Sequence, residues 1–242
     1  MLMPGNIATM EQVAAIPLPK ETRSYRPVPN LQLVEMFMDE IAKTYRVEKD
    51  SLSLSLGLGK NDQQMFGSIT VDAIRNENFS SSLTTVFRNS YDKSLSIVGA
   101  GGANCWICDN LQVGGQIIEM RKHTTGIYDD LSNLIRKVVQ GSIHTFNESM
   151  DFAAKLQEKS ISLDDSFRTV GLAMGHNVLK PQQATVTLRE LQNSSHEEFK
   201  EENVWSLYNH FTEALKRGPA GGVITRHDNA TNFFNEQFLQ AA

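Results

Sequence analysis

The chain has 242 residues and a mass of 27.0 kDa, with 40% hydrophobic and 21% charged residues, a net charge of −5 and a pI near 5.7. That length accommodates one large domain or two small ones, and the composition is that of a folded domain rather than a disordered or membrane-spanning chain. The acidic balance excludes a globally basic nucleic-acid binder and leaves room only for a regional basic stripe.

Residues 1–29 hold Pro4, Pro17, Pro19, Pro27 and Pro29, which predicts an extended N-terminal arm acting as a tether. This segment has neither the basic start nor the apolar run of a signal peptide, and no stretch reaches the roughly 18 apolar residues needed to span a bilayer. Two cysteines three positions apart, Cys105 and Cys108, build no disulfide framework. The expectation is a cytoplasmic protein with no membrane partner.

A single α+β domain is expected over residues 30–242. Asn30 can cap a helix from Leu31 to about Arg46, with Val34, Phe37, Met38, Ile41 and Tyr45 on one stripe. SLSLSLGL, residues 51–58, alternates with a period of two and predicts a strand with one buried face. Further strands are expected at 65–74, 81–90, 94–100 and 104–113, each β-branched or aromatic and bounded by Asn, Asp, Gly and Ser. The links are too short for crossover helices, so these five strands should form an antiparallel meander spanning 51–113. Asn89, Asp92 and Lys93 are then turn residues of one hairpin, and Gly99, Gly101 and Gly102 of the next.

A helical part follows over 124–242. Thr124 and Thr125 offer caps for a long helix to about Gln157, with Gly141 as a potential break. Ser162 with Asp165 resembles a capping box before a helix that Gly175 ends, and Pro181 begins another. Residues 202–218 form an amphipathic helix stopped by Gly218, followed by a GPAGG loop and a last helix at 229–240. The fold class is α+β: a β-meander of about five strands, then a long helix and a C-terminal helical part.

Several chemistries can be weighed on these elements. CWIC, 105–108, has redox or zinc-knuckle spacing, but it lies in a strand and lacks a second ligand pair, so half-buried thiols are the plainer reading. The six histidines show no H-E-x-x-H spacing, and no metal or cofactor is expected. Asp92, Asp109 and His123 could assemble a metal-dependent nuclease, against the simpler roles of turn and strand-end residues. KRGPAGG, 216–222, could cradle a phosphate, although a helix C-cap explains it equally. The most suggestive set is basic and aromatic: Phe87, Arg88, Tyr91 and Lys93 around the hairpin, and Arg121, Lys122 and His123 before the long helix. Rings on a sheet with flanking cations hold single strands without sequence preference.

FRNSYDKSLSIV, CWICDNLQVGG, RKHTTG and VWSLYNHFTEALKRG occur in the order and spacing of a known group. The chain resembles the uncharacterised phage and plasmid protein family, a domain of unknown function common in prophages and mobile elements, over roughly residues 65–240. The family's R-N-S-H-D-K-S pattern is matched by Arg88, Asn89, Ser90, Asp92, Lys93 and Ser94, with Tyr91 in place of the usual histidine. C-D-N falls on Cys108, Asp109 and Asn110, K-H-T on Lys122, His123 and Thr124, and W-x-L-x-N on Trp205, Leu207 and Asn209. Thr212 and Glu213 follow as they do in the family. The resemblance implies a mobile-element context, not a reaction. A meander followed by a long helix is also similar to the core of Rad52-like annealing proteins, a likeness of fold alone.

The leading expectation is a non-enzymatic, phage- or plasmid-encoded protein that binds or anneals single-stranded DNA, with a homo-oligomer as one expected form. Arg88, Tyr91, Lys93, Arg121, Lys122 and His123 are its contact surface. Another class of function is a protein that inhibits a host defence component through the acidic segment HEEFKEEN, 196–203.

Overall fold

In a computed structural model the chain is described over residues 5–105, 111–112 and 118–240. A short strand β1 (Asn6–Ala8) and helix α1 (Met10–Ala14) precede α2 (Asn30–Tyr45). The sheet continues with β2 (Leu52–Gly59), β3 (Gln64–Asn76), β4 (Ser81–Ser90), β5 (Ile97–Cys105), β6 (Leu111–Gln112) and β7 (Ile118–Arg121). Helices α3 (Ile127–Gln157), α4 (Leu163–Gly175), α5 (Pro181–Gln192), α6 (Val204–Leu215) and α7 (Val223–Phe234) complete the chain. Every strand pair is antiparallel and the order is β1-β2-β3-β4-β5, with β6 and β7 sharing the outer edge of β5. This is the expected α+β layout.

Strand alternation sorts the sheet into two unlike faces. Register aligns Leu54, Ile69, Thr85 and Gly101 in one row, and Leu56, Gly67, Phe87 and Gly99 in the next. This is the face that α2 and α3 cover: Leu33, Phe37 and Ile41 of α2, with Leu134, Ile135 and Val138 of α3, lie in one cluster with it. Phe37 stacks on Phe87 with centroids 4.6 Å apart, a pairing worth about 0.5–1.5 kcal/mol beyond burial. A second cluster joins Leu156, Val170, Trp205, Tyr208, Phe211 and Phe234 from α3, α4, α6 and α7. The 31-residue α3 contributes to both.

Four expectations need correction. The arm is packed, not a tether: β1 pairs with β2, Thr9 caps α1 with a complete capping box, and Val13, Tyr25 and Val28 are buried. The prolines stiffen the segment without preventing that burial. Gly99, Gly101 and Gly102 lie within β5, not at a turn. The reason is closeness of approach: a Cβ on Gly101 would stand 2.7 Å from Ser142 Cα, so only glycine lets α3 settle on β5. Gly141 does not break α3, which is continuous from Ile127 to Gln157 with buried residues on both sides of it, Val138 and Val139 before and Ser142 and Thr145 after. The last helix starts at Val223, ahead of 229, and Asn235–Leu239 continue it as a π-helical turn. Among the described residues, no helix is long and apolar enough to cross a membrane.

Candidate nucleic-acid interface

The hairpin between β4 and β5 is built by short polar side chains. Asp92 Oδ1 accepts from Ser94 N at 3.0 Å and from Ser94 Oγ at 2.5 Å, the usual way an aspartate closes a turn on its own backbone. Asp92 Oδ2 pairs with Lys60 Nζ at 2.6 Å. Burial opposes its ionisation, but Lys60 and Ser94 outweigh burial and hold the carboxyl down at about 2. Ser90 Oγ donates to Leu95 O and accepts from Leu95 N, tying the loop's two ends. Lys93 sits at φ 65°, a left-handed conformation costly for a side chain with a Cβ and sustained here by the closed turn. Its ammonium lies 4.6 Å from the centroid of the Tyr25 ring.

Tyr91 points inward. Pro29 precedes α2 and has no side chain to cap it, and the Tyr91 hydroxyl accepts from Asn30 N at 2.8 Å instead. Asn30 is therefore the first helical residue and not the cap. Tyr91 thus performs a helix-capping role.

Asn89 joins three distant segments. Its Nδ2 donates to Val28 O and to Asn30 Oδ1, both at 2.8 Å, while its Oδ1 accepts from Ser90 N at 2.9 Å and meets His123 Nε2 at 2.7 Å. Since that oxygen can only accept, His123 is the donor and carries its proton on Nε2. Burial lowers the His123 pKa, so the ring is neutral at pH 7. Its backbone oxygen accepts from Arg26 N at 3.0 Å, and its ring lies 5.4 Å from Tyr25. Segments 24–30, 89–96 and 122–124 thus meet at one place.

The six residues expected to form a contact surface divide. Lys93 and Lys122 are exposed, with no ion-pair partner among the described residues. They line one groove of about 370 Å³ together with Ser24, Tyr25, Ser94, Ser96 and Thr124, and none of its wall residues is acidic. His123 also lines it, as a neutral ring. The other three are occupied elsewhere. Arg88 is half-buried, with its guanidinium donating to Gly221 O and Ser96 O. Tyr91 is only 5% exposed, and Phe87 is buried under Phe37. Arg121 pairs with Glu119 at 3.3 Å and Asp130 at 3.8 Å. An open platform of rings on the sheet is therefore absent at these positions, because the rings were needed for the core and for capping α2.

The other candidates resolve in the same way. Asp109 and Cys108 lie outside the described residues, and Cys105 falls within β5. Asp92 is held by Lys60 and His123 by Asn89, and the described residues contain no group of three side chains able to hold a metal. The loop at 218–222 offers acceptors, not phosphate-binding donors: Arg226 donates to Pro219 O at 2.7 Å, and Arg88 to Gly221 O. In the segment 196–203, Phe199 is buried and the carboxylates of Glu197, Glu198, Glu201 and Glu202 are exposed.

Sequence reasoning missed Ser24 and Tyr25, which belong to the groove, and the hub role of Asn89. The run Arg23-Ser24-Tyr25-Arg26 carried the same basic and aromatic signal as the hairpin but stood in a proline-rich stretch. No protein-family model, curated protein or solved structure matches the chain.

Proposed function

We propose that the chain is a phage- or plasmid-associated protein that binds single-stranded DNA through its phosphates at the groove between Tyr25, the Lys93 turn and Lys122. The observation that carries this reading is the groove's composition: two ammonium groups with no ion-pair partner among the described residues and five hydroxyl-bearing residues, with no carboxylate in the wall, on a chain whose net charge is −5. Such a local reversal of sign attracts a polyanion and repels little of it nearby. Hydroxyls of Ser24, Ser96 and Thr124 supply the neutral contacts that usually accompany lysine at phosphate oxygens. The Asn89–His123 bond joins the hairpin to the segment 122–124, which supports reading the two as one site.

Base stacking contributes nothing from Phe87 or Tyr91, so affinity rests on electrostatics and is modest. Two phosphates neutralised on a single strand give a slope of about −1.4 in log K against log salt. A fourfold rise in salt then weakens binding by about sevenfold. Fluorescence anisotropy with a short labelled oligonucleotide at two salt concentrations tests this. Binding that ignores salt, or no binding at about 100 μM protein in low salt, removes the reading.

A further inference from the structure

We propose that the Lys93–Lys122 groove takes the phosphorylated end of a single strand, the terminal phosphate monoester with the phosphodiester next to it, in preference to an internal stretch of backbone. This rests on the groove being a phosphate site, as proposed above, and adds which part of the strand it holds.

The positive field of the groove is short. Around Lys93 and Lys122, the other cations are spent on acids or carbonyls. Arg26, whose backbone N–H donates to His123 O in the groove wall, lies 3.7 Å from Glu21. Lys60 pairs at 2.6 Å with Asp92, the residue before Lys93. Arg121, the residue before Lys122, pairs with Glu119 at 3.3 Å and Asp130 at 3.8 Å, and Arg88 donates to Ser96 O and Gly221 O. The exception is Arg23, beside Ser24 in the turn that Thr22 and Tyr25 close, which is exposed and has no acidic partner among the described residues. A strand held in mid-length leaves the groove in two directions, and at least one of them passes carboxylates that repel its phosphates. A strand held by its end leaves in one.

Charge and donor supply point the same way. A terminal phosphate monoester carries close to two negative charges at pH 7 and presents three acceptor oxygens, whereas a phosphodiester carries one charge and presents two free oxygens. The groove meets the larger demand with two ammonium groups and with the hydroxyls of Ser24, Ser96 and Thr124, which have no other hydrogen-bond partner among the described residues. The Lys93 ammonium is already placed, 4.6 Å from the centroid of the Tyr25 ring in the same wall, so less order is lost when a ligand arrives. One further negative charge about 4 Å from an ammonium at a solvated surface is worth about fivefold in affinity.

The test is fluorescence anisotropy with one short, internally labelled single strand in four forms: 5′-phosphorylated, 3′-phosphorylated, hydroxyl at both ends, and closed into a circle. At least one phosphorylated form should bind about fivefold or more tightly than the hydroxyl-ended and circular forms. That advantage should vanish in the Lys93→Ala, Lys122→Ala double variant, with folding checked by circular dichroism. Equal binding of all four forms overturns the proposal, as does an advantage that persists in the double variant. Thymidine 5′-monophosphate, as a competitor, should be at least about tenfold weaker than the unlabelled phosphorylated strand, and equal potency overturns the strand end as the ligand. The two readings fail differently. Four equal forms whose binding the double variant abolishes remove the end preference and leave the phosphate groove, whereas no binding by any form at about 100 μM protein in low salt removes both.

Discussion

Replacing Asn89 by alanine removes the side chain that joins the arm, the β4 end and the segment before α3. Four partners lose their bond at once: Val28 O, Asn30 Oδ1, Ser90 N and His123 Nε2, at 2.7–2.9 Å from the amide. Asn89 is 0% exposed, so bulk water does not replace the amide without local opening. At about 1 kcal/mol per stranded group, the lower end of the usual range, the loss is about 4 kcal/mol. That is a large share of the 5–15 kcal/mol that typically stabilises a domain. Urea denaturation followed by circular dichroism measures it as a lower midpoint at unchanged slope. Asn89→Asp should also destabilise, because it keeps the acceptor but loses both Nδ2 donations and sets a carboxylate against Asn30 Oδ1. A loss below about 1 kcal/mol for Asn89→Ala would refute the assignment of this amide as the hub.

Gly101→Ala places a Cβ 2.7 Å from Ser142 Cα and should cost at least about 1–3 kcal/mol by lifting α3 from β5, read from the same denaturation curves. Asp92, with its carboxyl held at about 2 against an unfolded value of 3.8, stabilises the native hairpin above the unfolded value and loses that effect as pH falls through 2. Asp92→Asn should therefore be less stable than the parent at pH 7 and equal to it near pH 2. His210 and His227 act in the same direction but at higher pH, since burial depresses them to about 4 and about 3 and the unfolded chain takes up their protons first. Stability should fall as pH drops below about 6.5, by up to about 1.4 kcal/mol per pH unit for each ring, and His227→Leu should flatten that fall in a pH series of melting curves. Ser206→Ala deletes an unpartnered hydroxyl and should leave stability unchanged or raise it by up to about 1 kcal/mol, whereas a clear loss would mean that Oγ has a partner in solution.

The architecture was legible wherever a single physical rule governs a segment. The Leu52–Leu58 alternation fixes β2, Ser162 with Asp165 marks the start of α4, and the apolar stripe of 204–215 marks α6. It was less legible where a residue answers to a partner far along the chain. Gly99 and Gly101 look like turn residues because glycine favours turns, yet here the demand comes from Phe37, Val138 and Ser142 pressing on the strand. The arm looks unpacked because its prolines bar regular structure, but Tyr25 and Val28 are anchored by groups of the hairpin 61 or more residues away.

The candidate site was half legible for the same reason. Lys93 and Lys122 are recognisable as cations beside a turn and a helix start, and both remain available at the groove. Whether a neighbouring arginine is free depends on which carbonyl or carboxylate meets it. Arg88 is claimed by a loop 133 residues downstream and Arg121 by Glu119 and Asp130, neither of which periodicity encodes. An aromatic in a strand likewise reads the same whether it faces solvent or core. Composition points to an outward ring at Tyr91 and leaves Phe87 open between surface and core, and the α2 contacts with Phe37 and Asn30 place both inward.

The most direct measurement is the salt dependence of single-stranded oligonucleotide binding by the parent chain and by the Lys93→Ala, Lys122→Ala double variant, with folding checked by circular dichroism. The parent should show a slope of about −1.4 in log K against log salt, and the folded double variant should bind at least about sevenfold more weakly at low salt with a slope near zero. Equal affinity and slope in the two proteins would contradict the assignment of this groove as the phosphate-binding site.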